Sequence, residues 1–390
     1  NPSNWQSVLW HEFCHVVTLQ MTGNRIPRWL SEGISVYEER RRDARWGQRM
    51  TAEFHRRVSD DRITPVAELS GAFLNAESGA DLNFAYYQSS MVVEHIVEAH
   101  GGETLIAVLQ DLNSGVTIND ALDRHCGGIE ELNTAFVLDL KQKATEWAGA
   151  AEFDGAGLAE LITENPEQLP EFVLQHPNHV PAGMALAEQL IRDERLDEAV
   201  ALLRHLAELI PQDNSLSGPR RTLASVYRRQ EQTDKELRLL REHVSQNADD
   251  LAALLRLQEQ AVATDDGDAV VSLGAAIHAI DPFQAEAVIR TAAAAESTGN
   301  TAAAADALTT LLQLQPDDSA RTHLRLAAIL KTTEPNRARR HVLLALEQAP
   351  RYRQAHRLLL ELGPSPSGDE LPVTPAPDDK PTEPPQESDL

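Results

Sequence analysis

Five prolines between residues 177 and 350 set a register that few folds can satisfy. Pro177 and Pro211 stand 34 residues apart, Pro282, Pro316 and Pro350 are again 34 apart, and the interval from Pro211 to Pro282 is 71, two such periods plus three. Twelve residues before four of these prolines lies a small or medium apolar residue: Ala199, Val270, Ala304 and Ala338. Proline removes a backbone donor and ends a helix, and a small side chain lets two helices approach closely. The surrounding sequence is rich in Ala and Leu and has no strand-like runs. The pattern therefore predicts a stack of helix pairs, each burying its apolar face against the next. The three extra residues are expected in the unit around Tyr227, within the polar stretch 213–220 (DNSLSGPR).

This period and spacing resemble tetratricopeptide repeats, without the aromatic positions of stronger examples. The resemblance implies a scaffold that binds another protein on its concave face. Residues 351–362 (RYRQAHRLLLEL) read as a capping helix. Residues 363–390 are rich in Pro, Ser and acids and too poor in apolar groups to offset their ordering entropy, so a disordered tail is expected there. The small, polar stretch 148–157 (AGAAEFDGAG) reads as a linker to what precedes it.

Chemistry concentrates at the other end. Residues 4–37 read NWQSVLWHEFCHVVTLQMTGNRIPRWLSEGISVY, in which His11, Glu12 and His15 form an HExxH pattern. On a helix, residues four apart share a face, so His11 and His15 can offer two imidazoles to one metal ion. Glu12 follows by about 100° of rotation, which places its carboxylate on the flank of that face, where it can take a proton from attacking water. The apolar residues Val8, Leu9, Phe13, Val16, Val17 and Leu19 suggest a buried site helix. Cys14, on the side opposite Glu12, reads as a packing residue. After a turn at Gly23-Asn24 and Pro27, a second helix over 29–42 carries Glu32, an available third ligand. Ser35 and Glu39, three and seven residues on, share its face, and either is a candidate to orient a ligand imidazole.

HExxH followed by WLxEG resembles the gluzincin branch of the zinc metallopeptidases, the peptidase MA-like domains. Carried over to this sequence, the resemblance implies Zn2+ held by His11, His15 and Glu32, with Glu12 as general base and then acid for the leaving amine. It also implies a tyrosine at a helix start that donates to the developing oxyanion. In the predicted helix 84–100 (FAYYQSSMVVEHIVEAH) that tyrosine is Tyr86; the other reading is that Tyr86 and Tyr87 pack at a helix N-terminus. Sixteen residues separate His15 from Glu32, a little fewer than is usual in aminopeptidase members, so a shorter connecting loop is expected. Such domains place a small sheet before the HExxH helix, whose edge holds extended peptide by backbone pairing. That sheet is expected upstream of Asn1, leaving part of the substrate cleft in this chain.

Between 38 and 57 lie Arg40, Arg41, Arg42, Arg45, Arg49, Arg56 and Arg57. Interleaved with Glu38, Glu39, Asp43 and Glu53, they read as a solvated, ion-paired face; the alternative is a patch for an anionic substrate or carboxylate. Residues 65–81 read as a surface loop with short helical turns, and 103–147 as two or three further helices. His95 and His100 are five apart and share no face, and His125 beside Cys126 has no partner at ligand spacing, so neither pair reads as a metal site.

Composition narrows the remaining choices. With 60 Asp and Glu against 35 Lys and Arg, the formal net charge is −25, which repels nucleic acid and anionic membrane. No run of 18 apolar residues encodes a membrane span, and two cysteines make no disulfide framework. The expectation is a mainly α chain: a zincin-like helical catalytic domain over 1–147, an α-solenoid of helix pairs over 148–362, and the tail. The function it implies is peptide or protein hydrolysis with a repeat scaffold for protein interaction. The alternative is an interaction scaffold whose peptidase-like domain is weak or inactive.

Overall fold

The structure, a computed structural model, describes residues 4–155 and 157–363. The expected tail from 364 to 390 lies outside the described residues, as does Ala156 of the expected linker. The chain divides into two compact units, one ending at Ala303 and one beginning at Ala304, taken here separately. Among the described residues there is no strand, only an isolated bridge between Glu152 and His179.

Helix α1 (Trp5–Met21) is started by the Asn4 side chain, which accepts the Gln6 N–H. It stops at Gly23 and Asn24, both in the left-handed region (φ 57° and 61°). Pro27, with no N–H to satisfy, then flanks α2 (Arg28–Arg42). Next come α3 (Ala52–Ser59), a 3-10 turn at Val66–Glu68, α4 (Leu69–Leu74), α5 (Gly79–His100), α6 (Gly102–Asn113), α7 (Ile118–His125) and α8 (Ile129–Ala148). Helices α2 to α8 share one core, with Trp29, Leu30, Val92, Ile96, Leu122 and Phe136 almost wholly buried. Helix α2 lies along α5 so closely that a Cβ on Gly33 would meet the Ser89 carbonyl oxygen at 2.6 Å. Glycine after Glu32 is thus a packing requirement, and it fixes where the Glu32 backbone sits.

Three expectations need correction. Helix α1 is not buried: it packs on α2 and touches α6 and α16, leaving Leu9 60% and Phe13 55% exposed, with Val8, Val16, Val17 and Leu19 also exposed. Only Cys14 and Thr18 of its residues are buried. Apolar content marked the helix, but no element among the described residues covers that side. Helix α5 starts at Gly79, because Ser78 caps it by accepting the Asp81 N–H at 3.1 Å. Tyr86 and Tyr87 therefore lie two turns inside the helix. The stretch 148–157 is not a loose linker at its centre: Phe153 is buried against Trp147 and His55, and Glu152 exchanges backbone hydrogen bonds with Asn178 and Val180.

Beyond it the first unit continues with α9 (Leu158–Thr163), α10 (Leu169–Gln175), α11 (Val180–Arg192), α12 (Leu196–Leu209), α13 (Pro219–Arg229), α14 (Thr233–Val244), α15 (Leu251–Ala263), α16 (Gly267–Ile280) and α17 (Ala285–Thr298). Successive helices pack on one another as pairs. Pro177, Pro211 and Pro282 each fall two residues beyond a helix end, and Ala199 and Val270 are buried on α12 and α16. Helices α11 and α17 begin three residues after their prolines but α13 begins eight after Pro211, so the insertion lies in the predicted polar stretch.

Helix α18 (Thr301–Gln313) belongs to the second unit from Ala304 on, and α19 (Ser319–Leu330), α20 (Pro335–Gln348) and α21 (Arg353–Glu361) follow with the same proline register. Ala304 and Ala338 are buried, α19 packs on α20, and α21 covers α20 in the place expected for a cap.

Candidate metal centre

The 3.6-residue period of α1 stacks the two histidine rings, with centroids 4.7 Å apart and planes at 83°. Helix α2 crosses their face and delivers Glu32. Its Oε2 lies 3.1 Å from His11 Nε2 and 3.2 Å from His15 Nε2, and one ligand atom from each of the three residues falls within 4.8 Å of the others. Metal bonds of about 2.0–2.2 Å in a tetrahedron put neighbouring ligand atoms about 3.3 Å apart. Two imidazoles and a carboxylate at this spacing fit a small, borderline-soft divalent cation.

A second layer of groups holds these three side chains. Glu39 Oε1 is 2.6 Å from His11 Nδ1, and its Oε2 accepts the Ser7 hydroxyl at 2.7 Å. Ser31 Oγ lies 2.8 Å from His15 Nδ1 and 3.2 Å from Thr18 Oγ1. The Ser35 hydroxyl donates to the His11 carbonyl at 3.2 Å and stands 3.4 Å from His15 Nδ1. Arg28 Nε donates to Glu32 Oε1 at 3.3 Å, leaving Oε2 for the histidines. Holding each ring by Nδ1 turns both Nε2 atoms to the same point. Of the two sequence candidates, Glu39 takes the imidazole directly, and Ser35 braces the helix backbone.

Electrostatics follow from this crowding. Burial disfavours a charged His11, but hydrogen bonds and charge from Glu32 and Glu39 outweigh it and raise its pKa to about 9. Burial likewise works against the Glu32 carboxylate, yet His11, His15 and Arg28 hold it below the usual range. A cation entering between these side chains would compete with the proton on His11. Burial pushes the Cys14 thiol up to about 11, as for a packed side chain and not a ligand thiolate.

Glu12 is exposed and opens, with His11 and Tyr86, onto a cavity of about 510 Å³. The Tyr86 ring lies 6.4 Å from that of His11 and edge-on to Phe73, whereas Tyr87 is buried and stacked on Phe54. His95 is buried beside Asp139 and His125 bonds Asp111, both outside the centre. Ser31 and Asp249 were not assigned to the site from sequence, and Arg49 entered only as one of seven arginines in the alternative reading of an anionic-substrate patch. Ser31 carried a signal, lying one residue before Glu32 and sixteen after His15. Asp249, on the α14–α15 connection, carried none: only folding brings it to the cavity, where it accepts the Asn4 N–H at 3.1 Å.

An HExxH helix facing a carboxylate-bearing second helix, in an all-helical domain followed by helix pairs, defines a class of arrangement. Residues 3–141 match the family model of the Peptidase MA superfamily, and this segment is a peptidase MA-like domain. Comparison with curated proteins gives no match. Among solved structures the chain is similar to the TPR domain of P58(IPK), with 15% identity over 85% of this chain and 97% of that one and a TM-score of 0.22. It is also similar to the APC/C hetero-tetramer Cut9-Hcn1, with 15% identity over 85% of this chain and 72% of that one and a TM-score of 0.25.

Proposed function

We propose that the chain is a zinc-dependent peptidase, with residues 1–147 carrying the reaction and residues 148–362 serving as a scaffold for a protein partner. The observation that carries this reading is the meeting of His11 Nε2, His15 Nε2 and Glu32 Oε2, with His11 opening onto the same cavity as an exposed Glu12. Zinc bound by His11, His15 and Glu32 would supply a Lewis acid that polarises the peptide carbonyl and makes water in the site more acidic. Glu12 takes the proton from the water that attacks that carbonyl and passes it to the leaving amine. Tyr86 donates its hydroxyl to the developing oxyanion, an interaction of the kind worth about 2.7–4 kcal/mol in a transition state. Glu39 and Ser31 keep the imidazoles aimed throughout.

The test combines zinc stoichiometry by elemental mass spectrometry with hydrolysis of peptide mixtures. The wild type is expected to hold about one zinc per chain and to cleave. Glu12→Gln should keep the zinc and lose cleavage, and Glu32→Ala should lose most of the zinc. A wild type that takes up no zinc when it is supplied, or cleavage unaffected by Glu12→Gln, would sink the reading.

A further inference from the structure

The cavity in front of the centre holds a charged group that this reaction does not use. Arg49, on the connection between α2 and α3, lines it together with His11, Glu12 and Tyr86. Other arginines of its dense stretch have partners: Arg40 pairs with Glu94, Arg41 with Glu38, Arg45 with Asp43, and Arg57 with Glu53 and Asp81. Arg42 lies over the Trp10 ring at 5.6 Å.

Arg49 takes part in none of the ion pairs or hydrogen bonds among the described residues, and its Nε is buried without an acceptor. Of the carboxylates near it, Asp43 is held by Arg45 and Glu39 by His11 and Ser7, while Glu12 and Asp249, which also line the cavity, form no ion pair with it. Burial and the like charge of Arg40 both work against the guanidinium, and Asp43 offsets them only in part. Next to it, Gln48 also lines the cavity, and its Oε1 is buried without a donor.

An uncompensated cation is expensive to keep half-buried, and groups left in that state gather where a ligand completes them. The chain as a whole carries −25, so an anion held at this cavity needs a local cation to hold it. A guanidinium presents a planar fork that matches a carboxylate, and a free amide oxygen beside it suits a peptide N–H. We propose that Arg49 is a specificity-determining residue that binds a carboxylate of the peptide substrate, making anionic peptides the preferred class. The carboxylate is the C-terminal one or an acidic side chain near the scissile bond. This rests on the peptidase reading and deepens it.

The test uses the full, zinc-loaded chain carrying Glu12→Gln, so that bound peptide is not turned over. The probes are degenerate N-acetylated pentapeptide pools, made as C-terminal acids, as C-terminal amides, and as amides with one position fixed as Glu or Gln. Retention is read by affinity selection and mass spectrometry, with hydrolysis by the chain without that substitution measured in parallel. The expected result is about tenfold or greater retention of the acid over the amide pool, or of the Glu over the Gln pool, as charged hydrogen bonds give. Which ratio is raised identifies the source of the carboxylate. Adding Arg49→Met should bring that ratio close to one, and Arg49→Lys should keep part of it. The melting temperature of Arg49→Met should be equal to or above that of the parent, since an uncompensated charge is removed.

Equal retention of anionic and neutral pools overturns the inference, as does a ratio that survives Arg49→Met. So does an Arg49→Met chain that melts lower and loses all pools alike, because that is the mark of a structural arginine. Hydrolysis of neutral and anionic pools alike would leave the peptidase reading standing while this inference falls. Neither retention nor hydrolysis of any pool by a chain holding zinc would bring down both.

Discussion

Glu39 Oε1 lies 2.6 Å from His11 Nδ1, and the other oxygen of the same carboxylate is held by Ser7 at 2.7 Å. The ring is thereby clamped from behind, with Nε2 left toward Glu32. Replacing Glu39 by Gln keeps the shape but removes the charge and the strong acceptor pair. Zinc affinity, measured by competition with a chromophoric chelator, should fall about 10- to 100-fold. An unchanged affinity would mean that Glu39 does not orient the ligand.

Proton and zinc compete for His11. With its pKa raised to about 9 in the metal-free chain, apparent zinc affinity should climb about tenfold per pH unit on the way up to that value. The sign for stability is opposite. A raised folded-state pKa contributes stability that is fully present below 6.5 and is lost as pH passes through about 9. Melting of the metal-free chain should therefore fall between those values, and less so in Glu39→Gln. Melting that rises across that window would contradict the assignment.

Removing only the Tyr86 hydroxyl tests the oxyanion role. Tyr86→Phe should lower kcat by about 10²- to 10³-fold with little change in KM, because the bond strengthens only in the transition state. Equal loss in Tyr87→Phe, whose ring is buried on Phe54, would point to packing instead.

Gly33→Ala would push a methyl group onto the Ser89 carbonyl oxygen at 2.6 Å, backbone that cannot turn aside. Overpacking of this kind costs about 1–3 kcal/mol. Because Glu32 is the adjacent residue, zinc affinity should drop together with the melting temperature; one falling without the other would separate the fold from the site.

In the helix-pair array, Asp250 caps α15 by accepting the Ala253 N–H at 2.9 Å and takes Arg221 Nε at 2.6 Å. Asp250→Ala should cost about 3–5 kcal/mol in chemical denaturation, since it strands a partly buried cation and a helix-end donor. A cost below about 1 kcal/mol would show that the pair contributes little.

That His11, His15 and Glu32 come together was legible because helix geometry turns an i, i+4 histidine spacing into a shared face, and because Glu32 came with its own turn and helix. The array was legible because prolines and small residues mark helix ends and close contacts at a fixed period. What failed has physical reasons. Apolar content in α1 said nothing about which neighbours would cover Leu9 and Phe13. Seven arginines in one stretch look alike until packing assigns carboxylates to some and leaves Arg49 with none. Tyr86 was placed at a helix start because Ser78, the actual cap, stands behind a polar run that reads as loop.

The hydrogen bond from Asn4 to Asp249 spans 245 positions of chain. During synthesis the HExxH helix is made before Asp249, the residue that anchors its beginning and closes one side of the cavity, with several helix pairs between them. The cavity is therefore among the last parts of this unit to be completed. A nascent or truncated chain can carry His11, His15 and Glu32 and still lack the finished wall of the cavity beside them.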